Sequence, residues 1–253
     1  MTIFHSIILG IIEGITEFLP ISSTSHLLLI NQFLKINNNP QTELFNVAIQ
    51  GAAILAVLTI YTKKILSAPH LLIPLTLAFT PVAIIGLILE LNHIPLQDNL
   101  YIVIASTFIV GIFMLFWNHI PYLNRNQITS LQDLTLKQSL IVGTIHCLAL
   151  IPGFSRAGAA ILGGLIIGTN RKTAIEFSFL LALPTLLSAS VLKLTTDVPS
   201  LIAIWPQLLI GSLFALATSL ISMRLFLNLT HQLNWTTFGI YRIIFGIIFV
   251  LTL

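Results

Sequence analysis

Residues 13–26 read Glu-Gly-Ile-Thr-Glu-Phe-Leu-Pro-Ile-Ser-Ser-Thr-Ser-His, and they interrupt an apolar segment that runs from about residue 3 to residue 34. Proline cannot continue the hydrogen bonding of a helix interior, so this pattern predicts two short helices separated by a polar loop. Each half is shorter than the about 20 residues that a helix needs to cross a bilayer. We therefore expect a re-entrant helix-loop-helix segment whose tip lies within the membrane.

A second apolar region, residues 138–168, is interrupted in the same way by Pro-Gly-Phe-Ser-Arg at 152–156. It predicts a second re-entrant segment. Charge-free runs elsewhere mark full membrane spans, because a charge at the bilayer centre is costly. Six such runs are long enough to cross, at residues 44–62, 70–89, 100–120, 177–192, 200–223 and 235–253. The expected fold is an all-α integral membrane protein with six transmembrane helices and two re-entrant segments.

The composition excludes a soluble globular protein. Of 253 residues, 56% are hydrophobic and only 8% are charged, whereas soluble domains carry about 25% charged residues. A net charge of +3 indicates membrane topology and no nucleic-acid partner. Placing the 63–64 loop in the cytoplasm gives seven basic residues inside against two outside, with both termini on the outer face. Those inside are Lys63, Lys64, Arg125, Lys137, Arg171, Lys172 and Arg224, and those outside are Lys35 and Lys193.

The same layout predicts an internal repeat within a single membrane domain, residues 1–253. The first half covers residues 1–120 and the second covers 138–253. Four pairs of identical residues lie 133 positions apart: Gly10 and Gly143, Ile12 and Ile145, Ser22 and Ser155, Glu43 and Glu176. Because the first re-entrant segment enters from outside and the second from inside, the two halves should have inverted topology, as in many transporters.

Glu13 and Glu17 are four residues apart and so share one face of a helix. They are either an ordinary exposed pair or, given their apolar neighbours, functional groups that face a cavity. Two like charges at this spacing favour a shared Mg²⁺ or Ca²⁺, or a proton on one of them.

Ser22, Ser23, Thr24 and Ser25 follow the proline break, and His26 comes next. Hydroxyl residues at a helix start are ordinary N-caps. Carboxylates, hydroxyls and an imidazole together also supply metal ligands, acid or base groups and a nucleophile.

Arg156 keeps its charge in all proteins and lies between apolar runs, so it needs an anionic partner. That partner is either Glu13 or Glu17 in a structural salt bridge, or a phosphate. A turn at Gly153 and a cap at Ser155 would aim a helix N-terminus at the loop, which favours an anion site.

Three further polar residues lie in apolar runs. Gln50 either lines the site or bonds to a neighbouring helix. His146 stands opposite Glu13 in the repeat and has no assigned role. Arg242 is expected to snorkel to the interface or to pair with a buried carboxylate.

Residues 13–26, together with Pro-Gly-Phe-Ser-Arg-Ala-Gly at 152–158, resemble the two signature loops of the undecaprenyl-diphosphate phosphatase family, also called bacitracin resistance proteins. The resemblance covers essentially the whole chain. It implies a multi-pass enzyme of the bacterial inner membrane that removes the terminal phosphate of a C55 isoprenyl diphosphate, the lipid carrier of cell-wall synthesis. It also implies six spans and two inverted re-entrant segments, a site open to the periplasm, dependence on a divalent cation (Mg²⁺ or Ca²⁺), and a homodimer.

The family's essential acidic pair matches Glu13 and Glu17, its histidine matches His26 and its arginine matches Arg156. Ser23 matches the serine proposed as nucleophile or phosphate ligand. The nucleophile is either Ser23 activated by Glu17 or His26, His26 itself, or a metal-bound water. Beside these catalytic residues, we expect five residues to bind the diphosphate: Ser22, Thr24, Gln50, Gly153 and Ser155.

The chain departs from the family's pattern at Ser25, where glycine is usual, and at Ala157 and Ala160, where hydroxyl residues are usual. Two lost hydroxyls remove phosphate hydrogen bonds, so either the activity is weaker or Ser25 or water supplies those bonds. The alternative function is a carrier that moves undecaprenyl phosphate across the membrane. The acidic pair beside the arginine argues against a carrier, because carboxylates repel a phosphate unless a cation lies between them.

Overall fold

The computed structural model describes residues 1–92, 99–124, 127–230 and 234–252 and is helical, with no β-strand in these ranges. The predicted inside residue Arg125 lies outside the described residues. Ten α-helices follow one another: α1 (Ile3–Thr16), α2 (Ser23–Phe33), α3 (Pro40–Ser67), α4 (Leu72–Leu91), α5 (Leu100–Trp117), α6 (Leu136–His146), α7 (Arg156–Ile166), α8 (Arg171–Thr196), α9 (Val198–Asn228) and α10 (Trp235–Leu251).

Five helical segments in the described ranges are long and apolar enough to cross a bilayer: Pro40–Ser67, Pro69–Leu91, Leu100–Trp117, Arg171–Thr196 and Val198–Asn228. The predicted sixth span forms α10, which is apolar but has 17 residues. Several of these helices extend beyond the charge-free runs, because polar first and last turns continue them into the interface. The prediction of a multi-pass, all-α membrane protein is confirmed.

Asparagine side chains start four of these helices. Asn39 and Asn170 cap α3 and α8, and Asn99 and Asn234 cap α5 and α10; each side-chain oxygen accepts a backbone N–H of the first turn. Such a cap satisfies a donor that has no partner within the helix and contributes about 1 kcal/mol. The start of each helix is therefore set by its own short sequence.

Glycines allow short helices to pack closely against long ones. At Gly10 of α1, an added Cβ would collide with the carbonyl of Gly211 on α9; at Gly143 of α6, it would collide with the carbonyl of Ala78 on α4. Helix pairs in membranes use small residues in this way. Gly10 and Gly143 thus give α1 a close contact with α9 and α6 a close contact with α4.

The two long helices α3 and α8 pack against each other and are joined by an ion pair at each end. Lys64 lies 2.6 Å from Glu176, and Lys193 lies 3.2 Å from Glu43. The α5–α10 pair completes the framework around the two breaks that separate α1 from α2 and α6 from α7.

Candidate active site

The two interrupted segments form matching loops, as the prolines predicted. Ser22 and Ser155 end these loops with positive φ angles of 70° and 84°, which are rare for residues other than glycine. Their side chains accept the backbone N–H groups of Ser25 and Gly158 at 3.3 and 3.1 Å and so cap α2 and α7. The Ser155 hydroxyl also donates to the Leu19 carbonyl at 3.5 Å, which links the second loop to the first.

Glu17 joins the two loops chemically. Its Oε1 accepts Nη2 and Nε of Arg156 at 3.0 and 3.3 Å, and its Oε2 accepts the Ser23 hydroxyl at 2.5 Å. The arginine and glutamate side chains are 9% and 4% exposed, so little water screens this pair. A buried carboxylate that accepts a serine proton beside a guanidinium is an arrangement suited to activating that serine.

Arg156 is held in place and still has capacity for an anion. It donates to Glu17 Oε1 through two nitrogens, to the Glu17 carbonyl at 3.4 Å and to the Ser178 carbonyl at 2.9 Å. A guanidinium has five N–H donors, which leaves one without a partner among the described residues. The phenyl ring of Phe18 lies 5.7 Å from its Cζ and shields one face of the ion pair. Arg156 therefore forms a salt bridge with Glu17 and still has one N–H donor available for an anion.

Glu13 is the unpartnered acid of the site. It is fully buried one turn before Glu17, and neither of its carboxylate oxygens has a hydrogen-bond partner among the described residues. A buried carboxylate needs a compensating partner. In the described ranges no group of three or more His, Cys, Asp or Glu side chains is placed to hold a metal. The two glutamates fit a hard cation such as Mg²⁺, which keeps several waters and is completed by phosphate oxygens.

His26 lies in the first turn of α2, and both of its ring nitrogens are engaged. Nδ1 is 2.7 Å from the Ser22 carbonyl, and Nε2 is 2.7 Å from the Tyr241 hydroxyl. The ring stacks on Phe245 with 4.0 Å between centroids. No hydrogen bond between His26 and Ser23 occurs, so the structure pairs the serine with Glu17 alone.

The contacts of Arg242 differ from those predicted from the sequence. Arg242 is fully buried and pairs with backbone carbonyls, not with a carboxylate, nor does it reach the interface. Its three nitrogens donate to Pro20 at 3.1 Å, to Phe154 at 3.1 Å, to Thr107 at 3.3 Å and to Gly153. Both loops are thereby bound to one side chain of α10.

Adjacent residues of α5 each hold one loop. Ser106 donates to the Pro152 carbonyl of the second loop, and Thr107 shares a hydrogen bond of 3.0 Å with Ser25 of the first. The Ser25 hydroxyl also lies 2.9 Å from that of Ser22. Ser25 is thus used to anchor the loop, and the suggestion that it replaces the hydroxyls missing at Ala157 and Ala160 has no support in these contacts.

The remaining polar and loop residues singled out from the sequence differ in how they relate to the two loops. Thr24 lies in the first turn of α2, beside the site. Gly153 has a positive φ of 87°, and a Cβ there would meet Ser106 and the Val103 carbonyl, so it shapes the loop. Gln50 lies on α3, and no hydrogen bond joins it to the described loop residues. His146 is fully buried at the end of α6, and both ring nitrogens lack a partner within the described part of the chain.

Comparison with known proteins gives consistent results. A family model described as bacitracin resistance protein BacA matches residues 6–248. A protein of Wolinella succinogenes named undecaprenyl-diphosphatase is 39% identical over 255 residues, which cover 99% of this chain and 98% of that protein. Proteins of the same name from a Sulfurovum species (strain NBC37-1) and from Persephonella marina are 41% and 38% identical, covering 100% and 99% of each chain.

Proposed function

The chain belongs to the bacitracin resistance protein BacA family, and from this premise we propose that it hydrolyses undecaprenyl diphosphate. The products are undecaprenyl phosphate and inorganic phosphate, so the reaction recycles the lipid carrier of cell-wall synthesis and confers resistance to bacitracin. The observation that carries the assignment is the buried contact of Ser23 and Arg156 with the two oxygens of Glu17. It puts a nucleophile, a proton acceptor and an anion-binding group within one loop pair.

In the proposed reaction, Ser23 attacks the terminal phosphorus. A bond forms between its Oγ and phosphorus, the bridging P–O bond breaks, and undecaprenyl phosphate leaves with the electron pair. Glu17 takes the hydroxyl proton, because its Oε2 already accepts it at 2.5 Å. Water then displaces the serine from phosphorus, and Ser23 regains a proton as inorganic phosphate is released.

Positive groups around this point stabilise the transferring phosphoryl group. Arg156 offers its remaining N–H donor, and the first-turn N–H groups of α2 and α7 face the loops from the two helix N-termini. Thr24 contributes one of these amides. Such fixed donors in a water-poor site are worth far more than in water.

Glu13 and Glu17 would hold a divalent cation in this proposal. The support is the buried carboxylate of Glu13, whose oxygens have no partner among the described residues. When bound, the cation neutralises charge on the phosphoryl oxygens.

Inverted halves and two re-entrant segments are part of the same proposal. Three features support them: matching positive-φ serines at Ser22 and Ser155, matching asparagine caps, and matching glycine contacts at Gly10 and Gly143. We further propose that α10 is the sixth span and that the site opens toward the periplasm. The bias of basic residues supports termini on the outer face, the periplasmic opening rests on the resemblance to the family, and the homodimer stays a prediction.

Phosphate release from undecaprenyl diphosphate in detergent tests the function. Wild type should release phosphate, Arg156→Gln should release at least a hundredfold less, and the exposed control Arg224→Gln should match wild type. A carrier releases no phosphate, so an inactive wild type would overturn the proposal. Activity that is unchanged in EDTA would remove the cation alone.

A further inference from the structure

The contact between His26 and Tyr241 assigns a role to a residue of α10 that the sequence did not single out. The His26 Nδ1 lies 2.7 Å from the Ser22 carbonyl. A carbonyl can only accept a hydrogen bond, so Nδ1 must carry the proton. In the neutral imidazole Nε2 is then an acceptor, and the Tyr241 hydroxyl at 2.7 Å is its donor.

Aromatic neighbours hold the plane of the His26 imidazole. The His26 ring lies nearly parallel to Tyr241, with 6° between planes and 5.7 Å between centroids, and it stacks on Phe245 at 4.0 Å. Tyr241 is 42% exposed whereas His26 is 6% exposed. The partly exposed Tyr241 ring thus covers the buried His26 imidazole, and the Tyr241 hydroxyl contacts Nε2.

We propose that Tyr241 is a positioning residue of this site, which hydrogen-bonds Nε2 and holds the orientation of the His26 ring, whose tautomer is set by the Ser22 carbonyl. The inference rests on the proposed phosphatase function. It goes beyond that function because it gives Glu17 and His26 separate roles in handling protons. Ser23 gives its proton to Glu17, while His26 is held with Nδ1 protonated and Nε2 as an acceptor. A tyrosine hydroxyl suits this task because it can donate to a neutral imidazole and accept from an imidazolium.

The test compares Tyr241→Phe, which keeps the ring stacking and removes only the hydroxyl, with the control Tyr101→Phe. Tyr101 is an exposed residue of α5. In detergent with undecaprenyl diphosphate, Tyr241→Phe should lower kcat by about threefold to tenfold, the effect of one hydrogen bond. It should leave KM and the thermal midpoint near the wild-type values. The control should leave kcat and KM unchanged.

A spectroscopic measurement reads the same contact without any turnover. Nitrogen-15 NMR of histidine-labelled protein, with the His26 signals assigned through His26→Gln, should show a protonated Nδ1 and an unprotonated, hydrogen-bonded Nε2 in wild type. Tyr241→Phe should shift the Nε2 signal, while Nδ1 stays protonated against the Ser22 carbonyl.

Two results would overturn the inference. The first is an active wild type together with a Tyr241→Phe kcat within twofold of it, and the second is an unprotonated Nδ1 in wild-type His26. If wild type released no phosphate, the proposed function would fall, and the NMR measurement would still decide the tautomer.

Discussion

Replacing Glu17 with glutamine separates the two roles of Glu17, which are to pair with Arg156 and to accept the proton of Ser23. The side chain keeps its volume, but one carboxylate oxygen becomes an NH2 group. Arg156 can only donate hydrogen bonds, so the amide oxygen should turn toward the guanidinium and the NH2 group toward Ser23. The serine hydroxyl then accepts a hydrogen bond where it had donated one at 2.5 Å, and its proton has no acceptor.

The expected losses differ for stability and for catalysis. Arg156 keeps hydrogen bonds to the amide oxygen and to the Ser178 carbonyl but loses its buried counter-ion, so unfolding should become easier by about 3–5 kcal/mol. Removing a proton acceptor from the reaction should lower kcat by about 10²- to 10⁴-fold. The thermal midpoint should therefore fall while phosphate release nearly stops.

A double-mutant cycle with Ser23→Ala tests whether the two residues act as a unit. Each single variant and the double variant should have similar residual kcat values, because either change already removes the activated nucleophile. Glu43→Gln, which changes an exposed partner of Lys193, should match wild type. Additive losses in the double variant would refute the assignment of Ser23 as the group that Glu17 deprotonates.

Three further predictions follow from the packing, the loop contacts and the topology. Gly143→Ala should lower the thermal midpoint clearly because its methyl group would meet the α4 backbone, whereas Gly86→Ala, with its nearest neighbour 3.7 Å away, should not; equal midpoints would contradict the close helix contact. Arg242→Met should destabilise the protein in denaturation experiments by about 1–3 kcal/mol for each buried loop carbonyl that is left without a donor; an unchanged midpoint would refute the role of Arg242 in binding both loops. In a cysteine-free background, Lys35→Cys should react with an impermeant thiol reagent from outside and Lys172→Cys only from inside; labelling from the same side would reject the predicted orientation.

Much of the fold follows from where charge and proline occur. A charge is costly in a bilayer and proline stops a helix, so helix positions and both breaks could be located from residues such as Pro20 and Pro152. Helix ends were less predictable, because asparagine caps outside the charge-free runs add polar turns. The acidic pair and Arg156 were identified as site residues because charge is rare in the chain.

The contacts that hold the loops could not be predicted from sequence. The Thr107 hydroxyl donates to the Val103 carbonyl at 2.7 Å, as hydroxyls in membrane helices commonly do, and nothing local shows that it also meets Ser25. Arg242 was expected to seek a carboxylate. Its partners are carbonyls that become available only when two distant loops leave the helical conformation. Tyr241 had no signal except its place beside that arginine.

The position of Arg242 accounts for the backbone carbonyls at the two breaks that form the proposed anion site. Where a helix stops, its last carbonyls have no partner, and the next helix begins with free N–H groups. Arg242 takes up the carbonyls of Pro20, Gly153 and Phe154 on one side of the loops. The first-turn N–H groups of α2 and α7 begin at the same loops, and two of them, those of Ser25 and Gly158, are capped by Ser22 and Ser155.

The buried glutamates and arginines at the loops can be compared by charge. With Glu13 and Glu17 both ionised, the charges of these two glutamates cancel those of the two buried arginines, Arg156 and Arg242. Arg242 is committed to carbonyls and Arg156 largely to Glu17. A diphosphate would therefore add negative charge beside a carboxylate, Glu13, that has no partner of its own in the described structure. Like charges in a site of low dielectric repel strongly, and a divalent cation at Glu13 removes that repulsion. Substrate affinity should thus depend on the cation more steeply in wild type than in Glu13→Gln, and equal dependence in the two proteins would contradict this account.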